Sequence, residues 1–142
     1  MRNRIIVWLT IFALLLTGCK PGPDVSVENG WIRAMPPGAK MTAAYGTIRN
    51  HTASTLELTT FSSNRFASVS LHRSVEENGI SKMKPQDSIL LEPNRSVSLE
   101  PGDLHLMLMQ PQGSMAAGES VELSLSTTDG IEFRVLLPVE AR

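Results

Sequence analysis

Short apolar stretches separated by turn residues run along most of the chain. Several alternate apolar with polar positions, as in Val121-Glu122-Leu123-Ser124-Leu125. A period of two marks a half-buried strand. The pattern predicts strands at Val25–Val27, Gly30–Arg33, Ala43–Arg49, Thr55–Phe61, Ser68–Ser74 and Ile80–Met83. It predicts further strands at Ser88–Leu91, Ser96–Leu99, Leu104–Met109, Ser120–Ser126 and Ile131–Pro138. Asn78-Gly79 and Asp129-Gly130 suit two-residue type I′ hairpin loops. Glu92-Pro93-Asn94 and Pro101-Gly102-Asp103 suit other tight turns. No window supports a long amphipathic helix, and there is no sequence repeat. An all-β chain folded as an antiparallel sandwich or barrel is expected.

The first residues break this pattern. Arg2 and Arg4 precede an apolar run from Ile5 to Leu16. As a helix the run would rise about 18 Å, short of a hydrocarbon core of roughly 30 Å. With its basic flank it reads as a secretory signal over residues 1–18. Leu16-Thr17-Gly18-Cys19 follows and resembles a bacterial lipobox, in which the cysteine sulfur receives a diacylglyceryl group and the chain is cleaved just before it. Two or more acyl chains anchor stably where one is marginal. Cys19 is the only cysteine, so no disulfide can form within the chain. Residues 19–24 then read as the lipidated cysteine with a short tether, and 25–142 as one domain. The expected location is the periplasmic face of a bacterial membrane. Lys20 stands where an aspartate often signals inner-membrane retention, which in a two-membrane bacterium favours the outer membrane. The full sequence carries a formal charge of −1, and loss of Arg2 and Arg4 makes the mature chain more acidic. With no basic patch and only 5% aromatic residues, a nucleic-acid partner is not expected.

Candidate chemistry sits on two of the predicted strands. In Gly102-Asp103-Leu104-His105-Leu106-Met107-Leu108-Met109 the leucines share one face and His105, Met107 and Met109 the other. In Ser68–Ser74, Val69 and Leu71 face the core while Ser68, Ser70, His72 and Ser74 face away. If Asn78-Gly79 closes a two-residue hairpin, Glu77 pairs with Ile80, Ser74 with Met83, and His72 with Pro85. Met83 is then the diagonal neighbour of His72, with Cα atoms roughly 7–8 Å apart. His72 with Met83 and His105 with Met107 therefore form two same-face pairs. Packed together they would offer two imidazoles and two thioethers. Thioethers are soft donors that favour Cu(I), and imidazole serves Cu(I), Cu(II) and Zn(II). Zinc more usually recruits thiolates or carboxylates. Methionine is also a common core filler, and Met107 or Met109 could instead face a second sheet. The third histidine, His51, lies among polar residues between two strands and reads as a solvated loop residue.

The spacing His72-x10-Met83-x21-His105-x-Met107 resembles the signature of the PCu(A)C family of periplasmic copper chaperones. So does residues 30–50, "GWIRAMPPGAKMTAAYGTIRN", which is similar to the family's Trp-x-Arg, Pro-Pro-Gly, Ala-Ala-Tyr and Asn pattern. "LEPGDLHLMLM" likewise is similar to the family's later strand, and the resemblance spans about residues 25–138. It implies a cupredoxin-like Greek-key β-sandwich that binds one Cu(I) through His72, Met83, His105 and Met107, without enzymatic turnover. It also implies delivery of copper towards the binuclear copper centre of cytochrome c oxidase subunit II, beside thiol-based assembly factors. Trp31, Arg33, Tyr45 and Asn50 match family positions and read as fold residues, with Pro36-Pro37-Gly38 shaping a loop.

Two departures stand out. Many relatives carry a methionine two residues after the first histidine, where this chain has Ser74. Some carry a His/Met-rich C-terminal tail, whereas this sequence ends Leu137-Pro138-Val139-Glu140-Ala141-Arg142. Met35, Met41, Met109 and Met115 read as surface or packing residues, with assistance to copper transfer as the alternative. Three competing functions remain at the sequence level. Ser70 and Ser74 beside His72 evoke a Ser–His hydrolase, but no nucleophile elbow or orienting acid is evident. The Met/His face could be a protein-docking patch on a surface lipoprotein. Copper could also be sequestered for tolerance, which requires the same ligands as delivery.

Overall fold

The computed structural model describes residues 22–142. The expected leader, Cys19 and the start of the tether lie outside the described residues. The described chain forms ten strands: β1 (Val25–Arg33), β2 (Met41–Asn50), β3 (Leu56–Ser62), β4 (Phe66–Glu77), β5 (Ile80–Pro85), β6 (Ile89–Leu91), β7 (Ser96–Leu99), β8 (Leu104–Pro111), β9 (Ser120–Thr127) and β10 (Glu132–Glu140). Every segment with the period-two pattern forms a strand. Val25–Val27 and Gly30–Arg33 merge into the single strand β1, because Asn29 at φ 51° makes a bulge there rather than a turn.

Two layers result. One runs β5-β4-β8-β2-β1, with β7 beside the second half of β2, and the other runs β10-β9-β3-β6. All pairings are antiparallel except β1 with β10, which run parallel at Ile32↔Val139 and Arg33↔Glu140. This parallel contact departs from an all-antiparallel expectation and joins the two layers. Inward residues such as Ile32, Ile48, Leu58, Leu108, Leu123 and Leu125 fill the space between them. Fully burying each contributes about 1.5–3 kcal/mol relative to exposure.

Two features position the outer face of the first layer. Gly46 lies opposite the bulge, and a Cβ there would sit 2.7 Å from Gly30 Cα, so only two facing glycines let β1 and β2 approach this closely. The edge of β2 is also shared: Met41–Ala44 pairs with β8 and Gly46–Arg49 with β7. The turn between β7 and β8 is closed by Asp103 N–H donating to the Glu100 carbonyl at 3.1 Å. It therefore falls in mid-sheet, immediately before His105.

The hairpin loops divide. Asn78 (φ 54°) and Gly79 (φ 75°) both take left-handed geometry, as a type I′ loop requires. At Asp129-Gly130 the two-residue expectation is corrected. Thr127 N–H donates to the Ile131 carbonyl at 2.9 Å, leaving a three-residue loop in which Gly130 alone has positive φ (88°). The Thr127 hydroxyl bonds the Asp129 carboxylate, which keeps Asp129 out of the left-handed region.

Candidate metal centre

The hairpin register is the one read from sequence: Ser74 pairs with Met83 and His72 with Pro85. On the other side of β4, His72 pairs directly with His105 and Ser70 with Met107. Strands β5, β4 and β8 thus bring Met83, His72, His105 and Met107 to one face. The imidazole centroids of His72 and His105 are 6.2 Å apart. A ring nitrogen binds a first-row ion at about 2 Å, so the two rings are within reach of one ion. Leu104, Leu106 and Leu108 point the other way into the core. Met83, His105 and Met107 line a cleft of about 450 Å³, together with Met41, Tyr45 and Ser74.

Burial grades across the site. His105 is only 3% exposed, His72 and Met107 are half-buried, and Met83 on the edge strand is 56% exposed. Each imidazole has one satisfied nitrogen and one orphan. His105 Nδ1 lies 2.9 Å from the Asp103 carbonyl oxygen. A carbonyl only accepts, so Nδ1 carries the proton and the Nε2 lone pair is free. His72 Nε2 lies 3.0 Å from Ser70 Oγ. His72 Nδ1 and His105 Nε2 are buried and have no hydrogen-bond partner among the described residues. An unpaired buried polar atom costs about 1–3 kcal/mol, so two side by side call for a physical cause. Burial, and next the charge of the neighbouring His105, pushes the His72 pKa below the ordinary histidine value. The shift favours the neutral form, in which imidazole donates to a metal.

Supporting contacts fix this arrangement. The Asp103 carbonyl also accepts from Ser74 N–H at 3.1 Å, and the Arg73 guanidinium pairs with the Asp103 carboxylate. Among the described residues no group of three His, Cys, Asp or Glu side chains could hold a metal ion. The soft donors that share a face with the two histidines are the thioethers of Met83 and Met107. The Ser70–His72 pair has the geometry of a hydrolase dyad, yet His72 Nδ1 meets no carboxylate to orient it.

Trp31, Arg33 and Tyr45 do more than was read from sequence. The Trp31 and Tyr45 rings extend the site face across β2 and β1: their centroids are 4.8 Å apart, and Tyr45 lies 6.3 Å from His105. The Arg33 guanidinium carbon sits 5.4 Å from the Tyr45 centroid, and that of Arg142 sits 4.8 Å from the Trp31 centroid. The alternation puts Tyr45 on the same face of β2 as Ala43, and the pairing of Ala43 with Met107, which the sequence alone does not reveal, brings that face to the site. Asn50 is the fold residue it was expected to be, fully buried and donating to the Ser54, Leu91 and Glu92 carbonyls. His51 is an exposed loop residue 2.7 Å from the Ser26 hydroxyl, away from the site. Met115 is buried in the core.

Residues 25–139 match the profile of the family described as "Putative lipoprotein LpqE-like". The chain belongs to the LpqE-like family. Among its relatives it is 31% identical to "Putative lipoprotein Lxx21020" of Leifsonia xyli subsp. xyli, covering 97% of this chain and 91% of that protein. The LpqE-like chain is similar in structure to the copper-bound PCuAC domain from PmoF2, with TM-score 0.68 and 24% identity over 84% of this chain and 94% of that domain. It is also similar to the solution structure of CuI-DR1885 from Deinococcus radiodurans, with TM-score 0.59 and 28% identity over 82% of this chain and 79% of that one. The fold of this LpqE-like protein is thus the cupredoxin-like β-sandwich of PCuAC domains.

Proposed function

We propose that this protein is a copper carrier that holds one Cu(I) through His72, Met83, His105 and Met107. The observation that carries the reading is the pair of buried, unpartnered nitrogens, His72 Nδ1 and His105 Nε2, on directly opposed residues. Two neutral imidazoles with two thioethers form a soft, uncharged donor set suited to Cu(I). The likeness to copper-bound PmoF2 and CuI-DR1885 supports the same cargo. Met83 stands on an exposed edge strand, which suits release by ligand exchange without unfolding. Carriage fits the copper-bound neighbours, and among the described residues His72 Nδ1 meets no carboxylate that would orient the Ser70–His72 pair for catalysis.

The carrier is anchored through lipidated Cys19 on the periplasmic face after removal of residues 1–18, in keeping with its lipoprotein family. Its recipient is the binuclear copper centre of cytochrome c oxidase subunit II, loaded beside thiol-based assembly factors. Anaerobic Cu(I) titration of the detergent-solubilised full chain against a competing chelator tests the site. One tight equivalent, lost in Met83→Leu, Met107→Leu and His105→Ala, is expected. No tight binding by the folded wild type sinks the reading. Transfer of that equivalent to the isolated copper domain of subunit II tests the recipient, and retention of copper would indicate sequestration. Mass spectrometry of the mature N-terminus tests the anchor, which Cys19→Ala removes.

A further inference from the structure

The face that carries the four ligands does not end with them. Continuing along β8 past Met107, the next residue on that face is Met109, one two-residue step or about 7 Å further. Met109 pairs directly with Met41 on β2, while Ala43 pairs with Met107. Directly paired residues on one face have Cβ atoms about 4.5–5.5 Å apart, and diagonal neighbours lie roughly 7–8 Å apart. Met41, Met107 and Met109 therefore form a triangle of thioethers whose edges are one cross-strand pair, one diagonal and one step along a strand. Met41 and Met107 line the same cleft as His105 and Met83. Met41 is 53% exposed, so its side chain is open to solvent at the cleft. Met109 is half-buried between Met41 and Ser68, its partners on either side.

We propose that Met41 and Met109, with Met107 as the shared ligand, form a second, weaker soft-metal position through which Cu(I) leaves the cleft. This rests on the carrier reading, because the route starts from the histidine site. Three neutral thioethers bind Cu(I) and hold divalent or hard ions poorly. Without imidazole the position is weaker than the first. Met107 can turn from the histidine pair towards Met41 by side-chain rotation alone, since methionine has three flexible torsions. The step is a ligand exchange: the bonds to His72, His105 and Met83 are released as those to Met109 and Met41 form, and copper keeps its oxidation state. The exposed Met41 is the last ligand to let go, where an acceptor's donor atoms can reach the ion.

Titration of the full chain, methyl-labelled at methionine, with Ag(I) followed by NMR tests this, Ag(I) serving as a redox-inert stand-in for Cu(I). The first equivalent is expected to shift the Met83 and Met107 methyls; the second shifts those of Met41 and Met109 and moves Met107 again, because its sulfur then bridges the two ions. In Met41→Leu/Met109→Leu the first set of shifts is retained, the second equivalent is lost, and transfer of Cu(I) to a chelator slows. Met41 and Met109 methyls that stay unmoved beyond one equivalent overturn the second position and leave the carrier site standing. An equally fast transfer from the double variant overturns the exit route. Unmoved Met83 and Met107 methyls overturn the carrier reading itself, and the route with it.

Discussion

His72 on β4 and His105 on β8 stand directly opposite each other, with ring planes inclined by 29° and one buried, unpartnered nitrogen on each. The other nitrogen of each ring is held locally, by Ser70 on the same strand two residues before His72 and by Asp103 in the turn two residues before His105. The pair is thus oriented before any ion arrives. Preorganisation of this kind is how supporting groups raise metal affinity.

Met83→Leu separates binding from folding. Met83 is mostly exposed on an edge strand, so unfolding free energy is expected to change by no more than about 0.5 kcal/mol. Cu(I) affinity should fall by more than the roughly 10–100-fold that supporting groups contribute. Chelator competition beside urea denaturation checks both. A Met83→Leu protein with wild-type affinity would remove Met83 from the ligand set.

Ser70→Ala is expected to weaken Cu(I) binding by about 10-fold while leaving the fold unchanged, because Ser70 holds His72 Nε2 without being a ligand. The same titration with circular dichroism checks it. An effect as large as that of His72→Ala would give Ser70 a direct role.

The pH dependence follows from His72. Its pKa is lowered in the fold by burial and by the nearby His105 charge. Below the ordinary value near 6.5, the unfolded chain therefore binds more protons at this position than the folded chain does. The contribution of His72 to stability is full above that value and is lost as pH falls through the depressed folded pKa. Apo wild type should lose more stability between pH 7.5 and 5 than His72→Gln. Parallel urea-denaturation profiles of the two proteins across that range would refute the assignment.

Asn50→Ala should cost about 2–4 kcal/mol, since it strands the Ser54, Leu91 and Glu92 carbonyls that Asn50 Nδ2 satisfies at 2.8, 3.0 and 3.2 Å. Gly46→Ala should cost a similar amount, about 2–4 kcal/mol, because φ is 140° and the new methyl meets Gly30 Cα at 2.7 Å. Denaturant midpoints measure both. A change of no more than about 0.5 kcal/mol at Gly46, the usual range for surface substitutions, would mean that β1 and β2 can separate there at little cost.

Much of this protein is written in local chemistry. Alternation along Leu104–Met109 and Ser68–Ser74 assigned both faces correctly, because a strand's side-chain period follows from its own backbone. Asn78-Gly79 determined the β4–β5 register, because a I′ loop needs two left-handed residues and leaves the flanking strands no other pairing. That placed Met83 diagonal to His72 from sequence alone. Asp129-Gly130, a similar dipeptide, closed a longer loop, because the Thr127 hydroxyl competes for the aspartate.

What only the tertiary structure decided is which strands are neighbours. Nothing in the period of β4 or β8 says that they pair, or that His72 meets His105 rather than solvent. That pairing, like that of β2 with β8, joins residues far apart in sequence. It is selected by the fit of both inner faces in one core, a property of the whole sandwich. The same selection turned Tyr45 into a wall of the site and set Met41 beside Met109. It also left two imidazole nitrogens buried without a partner among the described residues, because a sheet places its side chains where backbone hydrogen bonds put the strands.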